Sequence, residues 1–216
     1  MKRIAFLLLA TAALMTAAEK QLFNGKDLTG WARIPRHEGA PADQKPGFEI
    51  RDGLLVSIPD APEDDLWYTR QKIGNATLRV VYKVGAADAN SGIFTRIPIQ
   101  PKSEDDAINK GIEVQIQDTG DDYHCTGVLY SWTKAMARPY KPAGEWNTLE
   151  IQMKGPRTIV KLNGTVVTDY DGVSPVPPKK SQYEPERGPR PDTGYIAIQH
   201  HGGKDTVWFK EITLIQ

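Results

Sequence analysis

Leu149-Glu150-Ile151-Gln152-Met153-Lys154, then Thr158-Ile159-Val160-Lys161-Leu162, then Asn163-Gly164, then Val166-Val167-Thr168 make up the stretch that decides the fold class. In the first segment apolar Leu149, Ile151 and Met153 alternate with Glu150, Gln152 and Lys154. A period of two gives a strand one buried and one solvated face. Asn-Gly between two such segments signals a hairpin, because both central residues of a type I′ turn need positive φ. Outward from this hairpin, Leu78, Val80, Tyr82 and Val84 alternate with Thr77, Arg79 and Lys83. Further strands are expected over 54–58, 93–97, 112–116, 127–130, 195–199 and 207–215. No amphipathic helix stands out. About ten short strands in one domain predict an all-β fold of two packed antiparallel sheets.

Composition narrows the function classes. Lys2 and Arg3, the apolar run 4–14 and the small residues Thr16, Ala17 and Ala18 predict a secretory signal over 1–18, leaving 19–216 as the domain. The run is shorter than the roughly 20 residues of a membrane span, so no membrane partner is expected. It holds no Cys for a lipid anchor, and the expected location is the periplasm or outside the cell. Cys125 is the sole cysteine, so an intrachain disulfide is impossible and an apolar core must hold the domain. Lys plus Arg and Asp plus Glu both number 27, which gives no basic field to recruit nucleic acid. Two segments break the strand rhythm, 35–45 and the Pro-rich 174–191, the second long enough to serve as a lid.

Polar residues sit where a plain surface does not require them. Ile112, Val114 and Ile116 point one way, and Glu113, Gln115 and Gln117 the other. That polar face is either a solvated exterior or the floor of a site, and alternation alone does not decide. Tyr195, Ala197, Gln199 and His201 share a face before Gly202 and Gly203, which suits the floor and edge of a concave site. The adjacent His200 and His201 project oppositely from an extended chain, favouring one functional and one structural imidazole over a joint metal site. The sequence requires no cofactor and leaves a divalent metal ion open. Over 90–97, Ile93 and Ile97 are expected on one face with Phe94 and Arg96 on the other, Arg96 being either a site cation or half of an ion pair. Ser91 lacks a Gly-x-Ser-x-Gly elbow, Cys125 beside His124 reads as a small buried thiol, and phosphate-loop motifs are absent. Trp67, Tyr68 and Trp132 are candidate stacking platforms for sugar rings.

Four segments in order carry a resemblance: Leu22-Phe23-Asn24-Gly25-Lys26-Asp27-Leu28-Thr29-Gly30-Trp31, Asn90-Ser91-Gly92-Ile93-Phe94-Thr95-Arg96, Glu113-Val114-Gln115-Ile116-Gln117-Asp118 and Gly194-Tyr195-Ile196-Ala197-Ile198-Gln199-His200-His201-Gly202. Together with Gly144-Glu145-Trp146-Asn147 they resemble the 3-keto-disaccharide hydrolase domain, whose fold is a concanavalin A-like jelly-roll sandwich. His200 stands where that family usually has Asp. The resemblance implies cleavage of a glycoside already oxidised to a ketone at C3. The ketone acidifies the hydrogen on C2, the C1 oxygen leaves by β-elimination, and water adds back. Such chemistry needs a base near C2, a donor for the enolate oxygen and an acid for the leaving oxygen.

On this resemblance the base is His201 or Glu113, Arg96 and Gln115 hold the oxygens, and Tyr130 or His124 is the acid. Asn90, Asp118, Trp132, Gln199 and His200 complete the expected substrate contacts. The expected partner is an oligosaccharide or glycoside, with oligomeric state open. Two alternatives stand beside it. Glu113-x-Gln115-x-x-Asp118 resembles the catalytic strand of laminarinase-type glycosidases, and the same fold also serves lectin-like binding without chemistry.

Overall fold

The computed structural model describes residues 17–41, 44, 46–204 and 206–216. The expected signal therefore lies almost wholly outside the described residues. The strands are β1 (Glu19–Gln21), β2 (Trp31–Pro35), β3 (Phe48–Arg51), β4 (Leu54–Ser57), β5 (Asp64–Tyr68), β6 (Ala76–Val84), β7 (Ser91–Ile97), β8 (Ile112–Ile116), β9 (Asn147–Lys154), β10 (Arg157–Leu162), β11 (Thr165–Tyr170), β12 (Tyr195–Ile198) and β13 (Val207–Ile215), with one helix, α1 (Glu104–Lys110), between β7 and β8. They form two antiparallel sheets, a larger one in the order β11-β10-β9-β6-β13-β4-β3 with β1 on β13, and a five-stranded one in the order β2-β5-β12-β7-β8.

Alternation builds the interior. Along β6 every second residue is buried, and Leu78, Val80 and Tyr82 meet Ile112, Val114 and Ile116 of β8 in the core between the sheets. The β10–β11 hairpin turns at Asn163 (φ 49°) and Gly164 (φ 83°), the left-handed pair that the type I′ turn demands. A second, smaller core lies apart from the first, where Ile34, Trp67, Phe94, Ile97 and Ala197 of the five-stranded sheet pack with Ala107 of α1. Helix α1 thus covers part of that sheet's outer face and leaves the rest open.

Three expectations are corrected. Residues 127–130 form turns rather than a strand, joined to β8 by a single bridge at Val114–Leu129. Gly127 (φ 89°) and Ser131 (φ 58°) turn the chain there. The strands β1, β2, β3 and β5 and the helix were not expected. In β5, Asp64 and Asp65 mask a strand that is buried from end to end.

Alternation also fails at one point of β7. Tyr195 pairs with Ile97 and Ala197 with Phe94, so two residues of β7, Thr95 and Arg96, oppose one of β12. This β-bulge, with Arg96 at φ 58°, switches the facing of the residues beyond it. Ile93 lies in the inter-sheet core, whereas Ile97 joins Phe94 in the smaller one.

The segment 174–191 is a strap without strand or helix, fastened by two arginines. Arg187 donates to Pro177 O (2.8 Å), Pro185 O (2.7 Å) and the Glu184 carboxylate (2.7 Å). Arg190 donates to Gly111 O and Asn109 O, both at 2.8 Å, and lies 4.8 Å over the Trp132 ring.

Candidate functional site

A cleft of about 710 Å³ opens on the outer face of the five-stranded sheet. Its floor is built by β7, β8 and the end of β12, which contribute Asn90, Glu113, Gln115, Gln199 and His201. One wall is α1, with Glu104, Asp105, Ile108 and Asn109; Arg36, His37 and Glu63 form another, and Gln182 and Tyr183 of the strap reach the rim. The polar face of β8 therefore lines the floor of a cleft rather than a flat exterior.

Each floor residue is held by the strand pattern. The β8 residues alternate, so Val114 enters the core while Glu113 and Gln115 face the cleft. Glu113 lies directly over Gly92: a Cβ built there would come within 2.9 Å of Glu113 Cγ. Tyr130 N–H donates to Glu113 O (3.0 Å), which fixes the phenol next to that carboxyl. The Gln115 amide donates to Asn90 Oδ1 at 3.0 Å. Gln199 N–H donates to Gly92 O at 2.9 Å, and its side-chain amide lies beside the Glu104 carboxyl.

Burial of acids dominates the electrostatics. Burial, with a smaller contribution from the Glu104 charge, pushes Glu113 up to about 8. Burial and then the neighbouring Glu63 raise Glu104 to about 7, against the pull of Arg36. Asp65, on β5 beneath them, is raised well above the usual carboxylate range by burial and by Glu104, although it accepts the His200 N–H at 3.1 Å. The Tyr130 phenol is raised by burial and by Glu113. Asp65 Oδ2, Gln115 Oε1 and Gln199 Oε1 are buried acceptors without a protein partner. Unfilled buried acceptors are costly; Gln115 and Gln199 line the cleft, whereas Asp65 is enclosed. Neutral carboxyls can also donate, so the floor offers both halves of a hydrogen-bonding surface.

Of the expected site residues, Asn90, Glu113, Gln115, Tyr130, Gln199 and His201 line this one cleft. Five do not. Arg96 is 1% exposed and points across the sandwich, where it donates to Pro191 O (3.0 Å), Gly155 O (2.8 Å), Arg157 O (3.1 Å) and Thr158 Oγ1 (3.3 Å). The bulge turned it away. Asp118 is buried, accepts from Thr126 Oγ1 at 2.7 Å and acts on the Tyr82 phenol of the opposite sheet. Trp132 lies in the core against Tyr170 and Arg190; Trp67 and Tyr68 are likewise buried. His200 is a core residue, its Nε2 3.0 Å from Ile58 O and its ring edge-on to Phe48. His124 stands outside the cleft, its ring edge-on to Tyr130 and its Nδ1 2.8 Å from Asp121 Oδ1. Among the described residues no group of three or more His, Cys, Asp or Glu converges to hold a metal ion.

Glu104, Glu63, Arg36 and His37 were missed, whereas Gln182 and Tyr183 belong to the Pro-rich segment expected to be long enough for a lid. Only Glu104 had a signal: Ser103 followed by three acids and then Lys110 carries helix start and stop residues. A helix of seven residues is too short to show its period.

No curated protein sequence matches the chain. Among solved structures it is similar to a Parabacteroides distasonis protein assigned by inference as a glycosyl hydrolase, at 25% identity and TM-score 0.69, over 91% of this chain and 98% of the other. It shares its fold with a non-specific endo-β-1,3(4)-glucanase of family GH16 (11% identity, TM-score 0.58, 95% and 93% covered). The same holds for a carbohydrate-binding module from Bacillus subtilis (13%, TM-score 0.52, 88% and 98% covered). Residues 18–215 match one family model over nearly the whole length of the chain, and the protein belongs to the 3-keto-alpha-glucoside-1,2-lyase-like domain family.

Proposed function

We propose that the protein is an exported carbohydrate-active enzyme that cleaves glycosides bearing a ketone at C3, by β-elimination across C1 and C2 followed by addition of water. The observation that carries this reading is Glu113, a buried carboxyl held largely protonated at neutral pH in a cleft lined by amides. Such a group is a proton donor for the leaving C1 oxygen rather than the base first assigned to it. The amides of Gln115 and Asn90 hold sugar oxygens, and Tyr130 is placed to donate to the oxygen on which enolate charge develops. His201, exposed at the rim, contacts sugar hydroxyls there.

The chemistry follows from the ketone. It lets charge build on the C3 oxygen, so the C1 bond breaks without the oxocarbenium character that an ordinary glycosidase must stabilise. A retaining glycosidase needs an ionised nucleophile about 5 to 5.5 Å from its acid. Asp118, the residue needed for that reading, lies in the interior against Thr126 and the Tyr82 phenol. A pure binding module has no use for strongly shifted acids in its groove.

Incubation with a 3-keto-disaccharide and with its unoxidised parent separates the readings. Cleavage of the keto-sugar alone is the expected result. Cleavage of the parent sugar at a comparable rate overturns the keto-sugar assignment, and binding without cleavage of either overturns enzymatic function.

A further inference from the structure

Helix α1 brings a second carboxyl to the cleft. Glu104 faces Glu113 from the wall while Glu113 rises from the floor, and the Gln199 amide lies beside the Glu104 carboxyl. The charged groups around Glu104 come from five elements: Glu63 before β5, Arg36 after β2, Asp105 on α1 itself, Asp65 on β5 and Glu113 on β8. Arg36 is ion-paired with Glu63, so the cation nearest Glu104 is shared. Five carboxyls around one guanidinium cannot all ionise in a partly desolvated site. The pair Glu104 and Glu113 retains a proton near neutral pH; Glu104, half-buried and beside the Arg36 guanidinium, is better placed to carry the charge than Glu113, which is buried on the floor. Histidines 37 and 201 line the rim; His201 is exposed to water.

We propose that Glu104 is the base that removes the C2 proton, working with Glu113 as a pair that starts and ends each cycle with one proton between them. This rests on the elimination reading above. In the first half, ionised Glu104 takes the proton from C2, the C1–O bond breaks as the C1=C2 bond forms, and Glu113 gives its proton to the departing oxygen. Glu104 is then neutral and Glu113 ionised. In the second half, Glu113 takes a proton from water as its oxygen adds to C1, and Glu104 returns its proton to C2. The net reaction consumes one water and no other reagent. The unpartnered Gln199 Oε1 beside Glu104 accepts a sugar hydroxyl and so positions the ring against the base.

Hydrogen exchange separates the two acids. A 3-keto-disaccharide and a 3-keto-α-glucoside with a nitrophenyl leaving group are incubated in D2O with wild type, Glu104→Gln and Glu113→Gln, and both cleavage and deuterium at C2 are followed. Glu104→Gln is expected to lose exchange and cleavage of both substrates by about 100-fold or more. Glu113→Gln is expected to keep C2 exchange and to cleave the nitrophenyl substrate within about tenfold of wild type, since that leaving group needs no acid. Glu104→Gln removes one of several like charges, so its melting temperature is expected at or above that of wild type. Glu104→Asp keeps a withdrawn carboxyl and is expected to retain slowed exchange. Wild-type C2 exchange in Glu104→Gln overturns the role of Glu104 alone. A folded wild type that neither cleaves nor exchanges the keto-sugars overturns the elimination reading itself.

Discussion

Charge is buried at both ends of β7, with opposite outcomes. At Arg96 the guanidinium meets three backbone carbonyls and a hydroxyl within 3.3 Å, leaving only Nε without a partner. At Gly92 the carboxyl of Glu113 meets other acids, and neighbouring acceptors on Asp65, Gln115 and Gln199 are unfilled. The first cluster is closed and binds the end of the strap to the β9–β10 turn. The second is open, and its unmet hydrogen bonds await something from outside. A buried charge largely met by partners from the fold serves the fold; one packed among like charges at the floor of a cleft marks a candidate site.

The largest effect expected from breaking this contrast is at the open end. Glu113→Gln should cut keto-disaccharide turnover by about 10²- to 10⁴-fold while leaving circular dichroism and melting unimpaired; a loss within threefold would remove Glu113 from the chemistry. At the closed end the consequence should invert. Arg96→Leu strands several buried carbonyls at about 1–3 kcal/mol each, so chemical denaturation should show a loss of about 3 kcal/mol or more, with turnover per folded molecule unchanged. If turnover falls while stability holds, the two ends do not differ as described.

A smaller perturbation sharpens the open end. Gly92→Ala pushes Glu113 out of its seat without removing its carboxyl. A loss of about 10-fold in turnover, read at saturating substrate, is expected from a misplacement of this size, and wild-type turnover would show that the seat does not matter.

The pH dependence gives the mildest signal. Glu104 and Glu113 have folded-state pKa values raised to about 7 and about 8, so the fold binds their protons more tightly than the unfolded chain. Their stabilising contribution is full below the ordinary carboxylate range and is lost as pH rises through 7 and 8. Melting temperature should therefore climb as pH is lowered from 9 to 6, and the slope should flatten in Glu113→Gln. Equal slopes would show that Glu113 ionises as freely in the fold as out of it. Turnover, which uses ionised Glu104 and neutral Glu113, should peak between about 7 and 8.

What could be read from the chain follows the same division. The hairpin at Asn163-Gly164, the bounds of β8 and β13, and the face carrying Glu113, Gln115, Gln199 and His201 were readable because alternation reports which side a residue takes. Arg96 was misread because its bulge is a property of two strands together, and nothing local reveals that Gly194 packs against the Arg96 backbone. Strand β5 was hidden because Asp64 and Asp65 look like loop residues. They are tolerated inside because Asp64 is ion-paired with Arg33 and accepts Gly47 N–H at 2.7 Å, and Asp65 accepts the His200 N–H. The imidazole of His200 went to the core for the same reason that His201 reached the cleft: neighbouring residues of an extended chain face opposite ways. The base assigned above was out of reach because the helix that carries it spans only two turns.

The two arginine fastenings of the strap also bear on how a ligand arrives. Tyr183 and Gln182 hang over the cleft from a segment whose freedom was surrendered when the chain folded, so the mouth behaves as a mould cast in advance. A sugar entering it meets a strap already tied down by Arg187 and Arg190, so less freedom is lost on binding than with an untethered loop. Short, compact glycosides gain most from such a mouth, because they bring few rotatable bonds of their own to be frozen.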